Sequence, residues 1–455
     1  MRCIPRRKPL AAALTLALVL HATPSLALDL LESYQLATRN DGQLKAARAR
    51  ADADKEAWPQ AVGQLLPSVN ANYSRGDIEQ DTKRNNIALP TTNYVSEQKS
   101  LTISQPIYRK YQFSQLGEAR AKLAGAEARL SASTQDMGTR VVSAYFDALF
   151  QRDRLTLIQA QQASVGAQLK SVRMAFENGT GTRTDIDEAQ AKLDVLTADE
   201  IQAHQAIGSS AQQLAIFIGV PVDGLAAIDT DKLELGGFEP GQLDDWLQQA
   251  LANSPDIRTL RARVAQTDAE ISMARAGHHP TVDGIVRLSN TLSESPQVVG
   301  SEYTSRYVGV QVQVPIFAGG QVNSQVRAAV ASNQEAKESL AYTIDDVQLK
   351  VRREYADIRE GLTRVRALET AVRSADQVVL SNRKGVEAGT RTTLDVLNVE
   401  QQRFNTRLDL ARARYNLLVS WAQLTGLAGT LNEAEITRIN RALSATALKE
   451  PPAVP

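Results

Sequence analysis

Few residues in this sequence have the type and spacing to do chemistry. His278 and His279 stand side by side before Pro280, and His204 is isolated. Adjacent histidines can ligate a metal, but no cysteine or carboxylate support completes a site here, so the pair reads as a loop. The single cysteine, Cys3, lies near the amino terminus and leaves no thiol nucleophile, disulfide or thiolate metal centre elsewhere. No Ser-His-Asp arrangement, phosphate loop or carboxylate pair with catalytic spacing occurs. No catalytic, cofactor-binding or metal residue is therefore assigned, and a non-enzyme is expected. What stands out is a pair of acids in matching surroundings. Asp185 follows Asn178-Gly179-Thr180-Gly181, and Asp395 follows Ala388-Gly389-Thr390-Arg391. Both read as first-turn helix residues, a position that favours carboxylates through the helix dipole.

The elements that would position these acids follow from composition and pattern. The chain has 455 residues, with 51 basic and 51 acidic side chains. Arg2, Arg6, Arg7 and Lys8, an apolar run from Leu10 to Leu20, and Ser25-Leu26-Ala27 have the layout of an export signal, so residues 1–27 are read as a signal peptide. Its removal leaves 47 basic residues against 51 acidic, a balance of −4. No basic stripe is visible, which argues against a nucleic-acid partner. No later apolar stretch approaches the length of a membrane helix, so any membrane crossing must be made by strands.

The sequence repeats itself at an offset of 210. Tyr145-x-Asp147 matches Tyr355-x-Asp357, Glu177-x-Gly179-Thr180 matches Glu387-x-Gly389-Thr390, and Asp185 matches Asp395. The halves span residues 28–220 and 242–426, with a Gly- and Asp-rich linker at 221–241 and a C-terminal segment at 427–455. Each half is expected to open with an amphipathic helix, 29–57 or 242–277, followed by a proline, Pro59 or Pro280. Two strands follow, 66–75 with 98–107 in the first half and 280–292 with 303–316 in the second, joined by polar loops near Arg75–Ser96 and Ser293–Tyr303. Val308-Gly-Val310-Gln-Val312-Gln-Val314 alternates strictly, as a strand with one lipid face and one wet face requires. Tyr73, Tyr303 and Tyr307 fit an interfacial aromatic band on such strands, or ordinary strand aromatics. Trp58, Trp246 and Trp421 read as packing anchors.

The rest of each half lacks proline and carries a helical seam. Leu340, Ile344, Val347, Val351, Tyr355 and their successors to Val379 recur with a mean spacing of about 3.55, between a straight helix and a heptad coil. A helix of roughly 70 residues would be about 100 Å long. Each long helix should end at a Gly-Thr turn, with a second helix running back. In Pro315-Ile-Phe-Ala-Gly319-Gly320, Pro315 stops the strand while Gly319 and Gly320 free the backbone for a change of direction. Four strands cannot close a barrel, and open edges cannot face lipid, so several chains must pool their strands.

These features together resemble the TolC family of outer-membrane factors over nearly the whole length after the leader. The residues that carry the resemblance are Leu66-Pro67, Pro280-Thr281, Val314-Pro315-Ile316-Phe317-Ala-Gly-Gly320, Gln321 to Val326, Gly389-Thr-Arg-Thr392 with Asp395-Val-Leu, and Gly429-Thr-Leu-Asn432. The resemblance implies a mixed α and β membrane protein: a homotrimer with a twelve-stranded barrel, continued by a coiled-coil tunnel in the periplasm. It also implies a periplasmic adaptor and an inner-membrane ABC or RND transporter as partners, in type I protein secretion, drug efflux or both. By the same resemblance, Asp395 matches an acidic ring at the periplasmic mouth. Asn398 replaces the next acid of that ring, Arg391 and Asp185 match latch residues, and Val386 stands where a latch tyrosine is expected. Gly179, Thr180, Gly389 and Thr390 would be adaptor-contact turns, although C-cap geometry accounts for the glycines equally well. The competing reading is a periplasmic or secreted coiled-coil adaptor or stalk without a pore, which leaves the duplicated strands without a purpose.

Overall fold

The computed structural model describes residues 28–222, 224–228, 235–293, 300–441 and 443–447. The export leader expected over 1–27 lies outside the described residues, as does the end of the C-terminal tail.

The first half opens with α1 (Leu30–Asn40), α2 (Gly42–Lys55) and α3 (Ala57–Gly63) instead of one helix over 29–57. The break is local chemistry. Buried Asp41 caps α2 by accepting from Leu44 N at 2.7 Å, and Arg140 reaches the same carboxylate at 3.2 Å. Pro59 does not end the helix. It sits in the first turn of α3, where its missing N–H would have had no helical partner. Next come β1 (Ser68–Gln80), a small hairpin of β2 (Lys83–Arg84) and β3 (Ile87–Ala88), and β4 (Thr92–Arg109). Asn85 and Asn86, with φ of 49° and 68°, turn that hairpin in the left-handed region a type I′ turn needs. β4 runs straight into α4 (Lys110–Glu177), a helix of 68 residues, and α5 (Arg183–Ile218) returns beside it.

After β5 (Ala226–Ile228) the second half repeats the plan. It has α6 (Leu243–Asn253), α7 (Pro255–Arg275), β6 (Thr281–Ser293), β7 (Ser301–Gln313), α8 (Gln321–Glu387) and α9 (Thr393–Leu427). The helix expected over 242–277 divides at Ser254, because Pro255 starts a new helix at its first position. α10 (Glu433–Asn440) and β8 (Leu443–Ala447) close the chain, with β8 paired to β5. The stretch expected as a linker is more than a tether: Leu225, Ala226 and Phe238 within it are buried.

The four long strands form one antiparallel sheet in the order β1-β4-β6-β7. The hairpin loops are shorter than expected, because the polar stretch from Arg75 to Ser96 continues the ladder up to the Gln80–Thr92 pair. A loop reading from polarity fails where both faces of a strand are polar. β7 likewise stops at Gln313, two residues before Pro315.

The largest core cluster lies where the opening helices and the linker wrap the middle of α4 and α8 and the C-terminal part of α9. Phe146 packs edge-on to Tyr145 at 5.7 Å and tilted against Tyr415 at 5.6 Å, and Trp421 meets Phe238 and Trp246 in T-shaped contacts. The repeat shows in detail here. Tyr145 Oη donates to the backbone of Leu28 and Ala226, and its match Tyr355 donates to Gly241 O. Gly219 and Gly429 take the same left-handed φ, 75° and 70°, just beyond α5 and α9. Smaller apolar clusters continue down the helical hairpins, the lowest built from Val165, Leu169, Val172, Ile186, Ala189, Leu196 and Leu397. Leu397 of α9 thus enters the core of the other hairpin.

Candidate functional site

The strand sheet has two unlike faces, and its register defines them. Residues directly opposite across a ladder share a face. Val69, Ile103, Val286 and Val308 form one row, and Ala71, Leu101, Leu288 and Arg306 form the next. Val308, Val310 and Val312 are 79%, 61% and 59% exposed within the single chain. A contiguous apolar face of this kind on a sheet calls for lipid. The opposite face carries Asn70, Thr102, Arg287 and Tyr307 in one row, then Asn72, Ser100, Ser289 and Ser305, then Ser74, Gln98, Thr291 and Tyr303. This wet face corrects the aromatic-band expectation. Tyr73 lies on the apolar face, at the edge of the band beneath Lys99, but Tyr303 and Tyr307 fall on the polar one. Tyr307 lies back along its strand over Gly309, where a Cβ would come within 2.5 Å of its hydroxyl.

At the foot of the sheet the two halves turn into helix differently. In the second half, Gly319 and Gly320 adopt φ of 59° and 81°, and Gly320 precedes α8 directly. Beside them Ile316 and Phe317 stand 94% and 88% exposed. In the first half there is no such hinge. The register shifts between Pro106 and Tyr108, and Arg109 clamps buried Asp283 through Nε to Oδ1 at 2.7 Å and Nη2 to Oδ2 at 2.8 Å. Sequence reasoning missed this clamp, because its partners lie in different halves and carry no motif.

At the far end, the two Gly-Thr turns have the same geometry. Gly179 and Gly389, with φ of 76° and 72°, donate to Phe176 O and Val386 O, both at 3.0 Å. Thr180 N and Thr390 N reach back to Ala175 O and Gly385 O, and each threonine hydroxyl bonds the same carbonyl. Thr182 then caps α5 and Thr392 caps α9, each in a reciprocal box with Asp185 or Asp395. One carboxylate oxygen of each acid is therefore held by the turn. Thr392 N donates to Asp395 Oδ2 at 2.9 Å, and its hydroxyl contacts the same oxygen at 2.9 Å. These bonds, with the charge of Arg391, hold the Asp395 carboxyl below the usual carboxylate range. Asn398 is exposed, one turn further on. Among the described residues, no hydrogen bond or ion pair joins Arg391 to Asp185 within the chain. The geometry thus brings Arg391 and Asp395 together around one turn and leaves Asp185 in the equivalent turn of the other hairpin.

Above these turns, ties within and between the hairpins appear that the sequence did not announce. Arg383 pairs with buried Glu400 and donates to Ser164 at 2.7 Å, and Gln161 donates to Gln401 at 3.0 Å. The repeat offset could have found the first of these, because Arg173 and Gln190 form the matching contact in the first half at 3.0 Å. His278 bonds Asn323, and no cluster of three or more His, Cys, Asp or Glu fit for a metal forms among the described residues.

A two-faced four-stranded sheet with open edges, joined to helical hairpins about 100 Å long, is a segment of a barrel-and-tunnel channel. The comparisons with known proteins agree. The sequence model of the outer membrane efflux protein family matches residues 33–220 and 246–430, so the chain belongs to that family. It is 32% identical to the proteases secretion protein PrtF of Dickeya chrysanthemi over 95% of each chain. It is 30% identical to the alkaline protease secretion protein AprF of Pseudomonas aeruginosa, over 92% of this chain and 88% of that one. It is also 30% identical to the outer membrane protein TolC of Vibrio cholerae, over 91% and 94%. Among solved structures, the outer membrane protein VceC from Vibrio cholerae superposes with a TM-score of 0.75 at 18% identity, covering 88% of this chain and 96% of that one. The protein is an outer-membrane export channel of the TolC type, and the reading as a poreless coiled-coil stalk is set aside.

Proposed function

We propose that this chain is the exit duct of a type I protein secretion system. Three copies would build one twelve-stranded barrel, and their helical hairpins a common tunnel that meets a periplasmic adaptor and an inner-membrane ABC transporter. The observation that carries this reading is the match, at 30% identity or more and along nearly the whole chain, to two proteins named for protease secretion. Drug efflux is the second reading, favoured by the family's description.

In this reading the Gly179–Thr180 and Gly389–Thr390 turns form the adaptor-facing tip. Asp395 supplies an acidic ring at the mouth, halved in charge because Asn398 is neutral, and Arg391 helps hold the mouth closed. Like carboxylates placed around one axis attract multivalent cations. Deleting the gene tests the main proposal. Loss of specific proteins from the culture medium, with unchanged tolerance to toxic compounds, is the expected result. Unchanged secretion with increased drug sensitivity would replace it with efflux.

A further inference from the structure

The wet face of the sheet carries a charge pattern that follows from register alone. Every second residue of β1 and β4 on that face, from Ser68 to Gln80 and from Thr92 to Ser104, is uncharged. On β7 the same face presents Ser301, Tyr303, Ser305, Tyr307, Gly309, Gln311 and Gln313. Arg75, Glu97, Lys99, Glu302 and Arg306 all fall on the opposite parity. Among the described residues, three charges remain for the wet face. Two of them, Arg109 and Asp283, neutralise each other in the clamp at its foot. The third is Arg287, exposed, in a row with Asn70, Thr102 and Tyr307. Among the described residues, no hydrogen bond or ion pair engages its guanidinium. Asp283 cannot serve it, since four strand residues separate them by about 13 Å. A second copy of the chain cannot serve it from its strands either, because its β1 and β4 bring no acid to this face.

We infer that Arg287 forms an anion-binding ring in the barrel lumen, one guanidinium per chain, on a wall otherwise uncharged above the Arg109–Asp283 clamp. This rests on the channel reading above. A guanidinium is charged at every working pH and offers five donors to carboxylate or phosphate oxygens. The neighbouring side chains Asn70, Thr102 and Ser289 can add neutral hydrogen bonds but cannot cancel the charge. The ligand class is therefore a multivalent anion, and for a polypeptide in transit an acidic segment. The duct would offer acids at its entrance and a cation at its exit. An acidic segment leaving the tunnel would meet attraction only after passing the mouth.

The test uses the purified full-length channel in planar bilayers, with inorganic tripolyphosphate added on the extracellular side. At about 0.01 M salt the screening length is about 30 Å, long enough for the ring's field to cross the lumen. The expected result is a block that Arg287→Gln weakens at least tenfold, with cation preference increased and single-channel opening retained. Salt near 1 M, where screening falls to about 3 Å, should abolish the block in the unaltered channel. Arg306→Gln, on the lipid side, should leave the block unchanged. Equal block in the Arg287→Gln and unaltered channels overturns the inference while leaving the duct intact. A chain that forms no pore overturns the duct and the inference together.

Discussion

Replacing Arg109 with alanine should destabilise the strand-to-helix corner more than any other single loss of an ion pair in the sheet. The clamp makes two charge-assisted bonds, at 2.7 and 2.8 Å, to a side chain that is 12% exposed. Hydrogen bonds to charged groups contribute about 1.5–3 kcal/mol each, and removing one partner of a fully buried pair costs about 3–5 kcal/mol. The Arg109 side chain is itself 34% exposed, so water takes up part of the loss. A cost of about 2–3 kcal/mol per chain is the resulting expectation. Most of that cost is the stranded Asp283 carboxylate and not the lost attraction. Arg109→Ala with Asp283→Ala should therefore be milder than Arg109→Ala alone. The assay is denaturant unfolding of the reconstituted protein for both single variants and the double variant. If the two single losses add to the double within about 0.5 kcal/mol, the residues are uncoupled and the clamp argument is wrong.

Further expectations concern the helical portion. Burial raises the Asp153 carboxyl above its ordinary range, while the bond from Tyr415 and the charge of Arg414 pull it back. A raised folded value means stability falls as pH climbs through the carboxylate range. Asp153→Asn, which keeps an acceptor for Tyr415, should therefore match or exceed the parent in melting temperature at neutral pH, whereas Asp153→Ala should melt lower. Gly429→Ala combines a φ of 70° with a Cβ placed 2.6 Å from Asn253 O, so the folded channel should be lost. Gly389→Ala has the strain without the contact and should cost about 1 kcal/mol, read as faster amide exchange confined to the tip. The lowered Asp395 value has the opposite pH sign. Its capping contribution is present above the unfolded carboxylate pKa and is lost as pH falls through the lower folded one. Block of the bilayer channel by trivalent cations from the periplasmic side should therefore persist below the ordinary aspartate range. Asp395→Ala should weaken the block, and an unchanged block would leave Asp395 a capping residue only.

What the sequence disclosed depended on how local the cause was. The seam from Leu340 to Val379, the Gly179 and Gly389 turns and the Gly319-Gly320 hinge are set within a few residues of themselves, and each was readable from spacing. The alternation around Val308 gave the lipid face for the same reason. The length of β1 and β4 was not readable, because above Tyr73 both faces are polar and pattern no longer separates a ladder from a loop. The split at Asp41 needed Arg140, 99 residues away, to explain a buried acid that looks like any surface aspartate. The Arg109–Asp283 clamp joins the two halves across β4 and β6 at a point where they have diverged, so the repeat offered no help. The Arg383–Glu400 contact has a visible counterpart in Arg173 and Gln190, and there the repeat could have been pressed further.

The tip shows why matching acids alone do not establish a gate. Asp185 and Asp395 sit in superposable capping boxes, yet only one hairpin places an arginine immediately before the box, at Arg391 against Gly181. A capping role alone would be met equally at both positions and explains the shared aspartate. It does not explain the arginine, whose side chain makes no hydrogen bond or ion pair within the chain among the described residues. If Arg391 serves a contact between chains at a closed mouth, Arg391→Ser should raise conductance, while Arg183→Ser, in the matching hairpin, should not. Arg183 already pairs with Asp187 in its own helix at 3.2 Å and gives the control the same loss of charge. Equal conductance changes in the two variants would mean that surface charge near the mouth acts in bulk, and the latch would have to be sought higher, at Arg383 and Ser164.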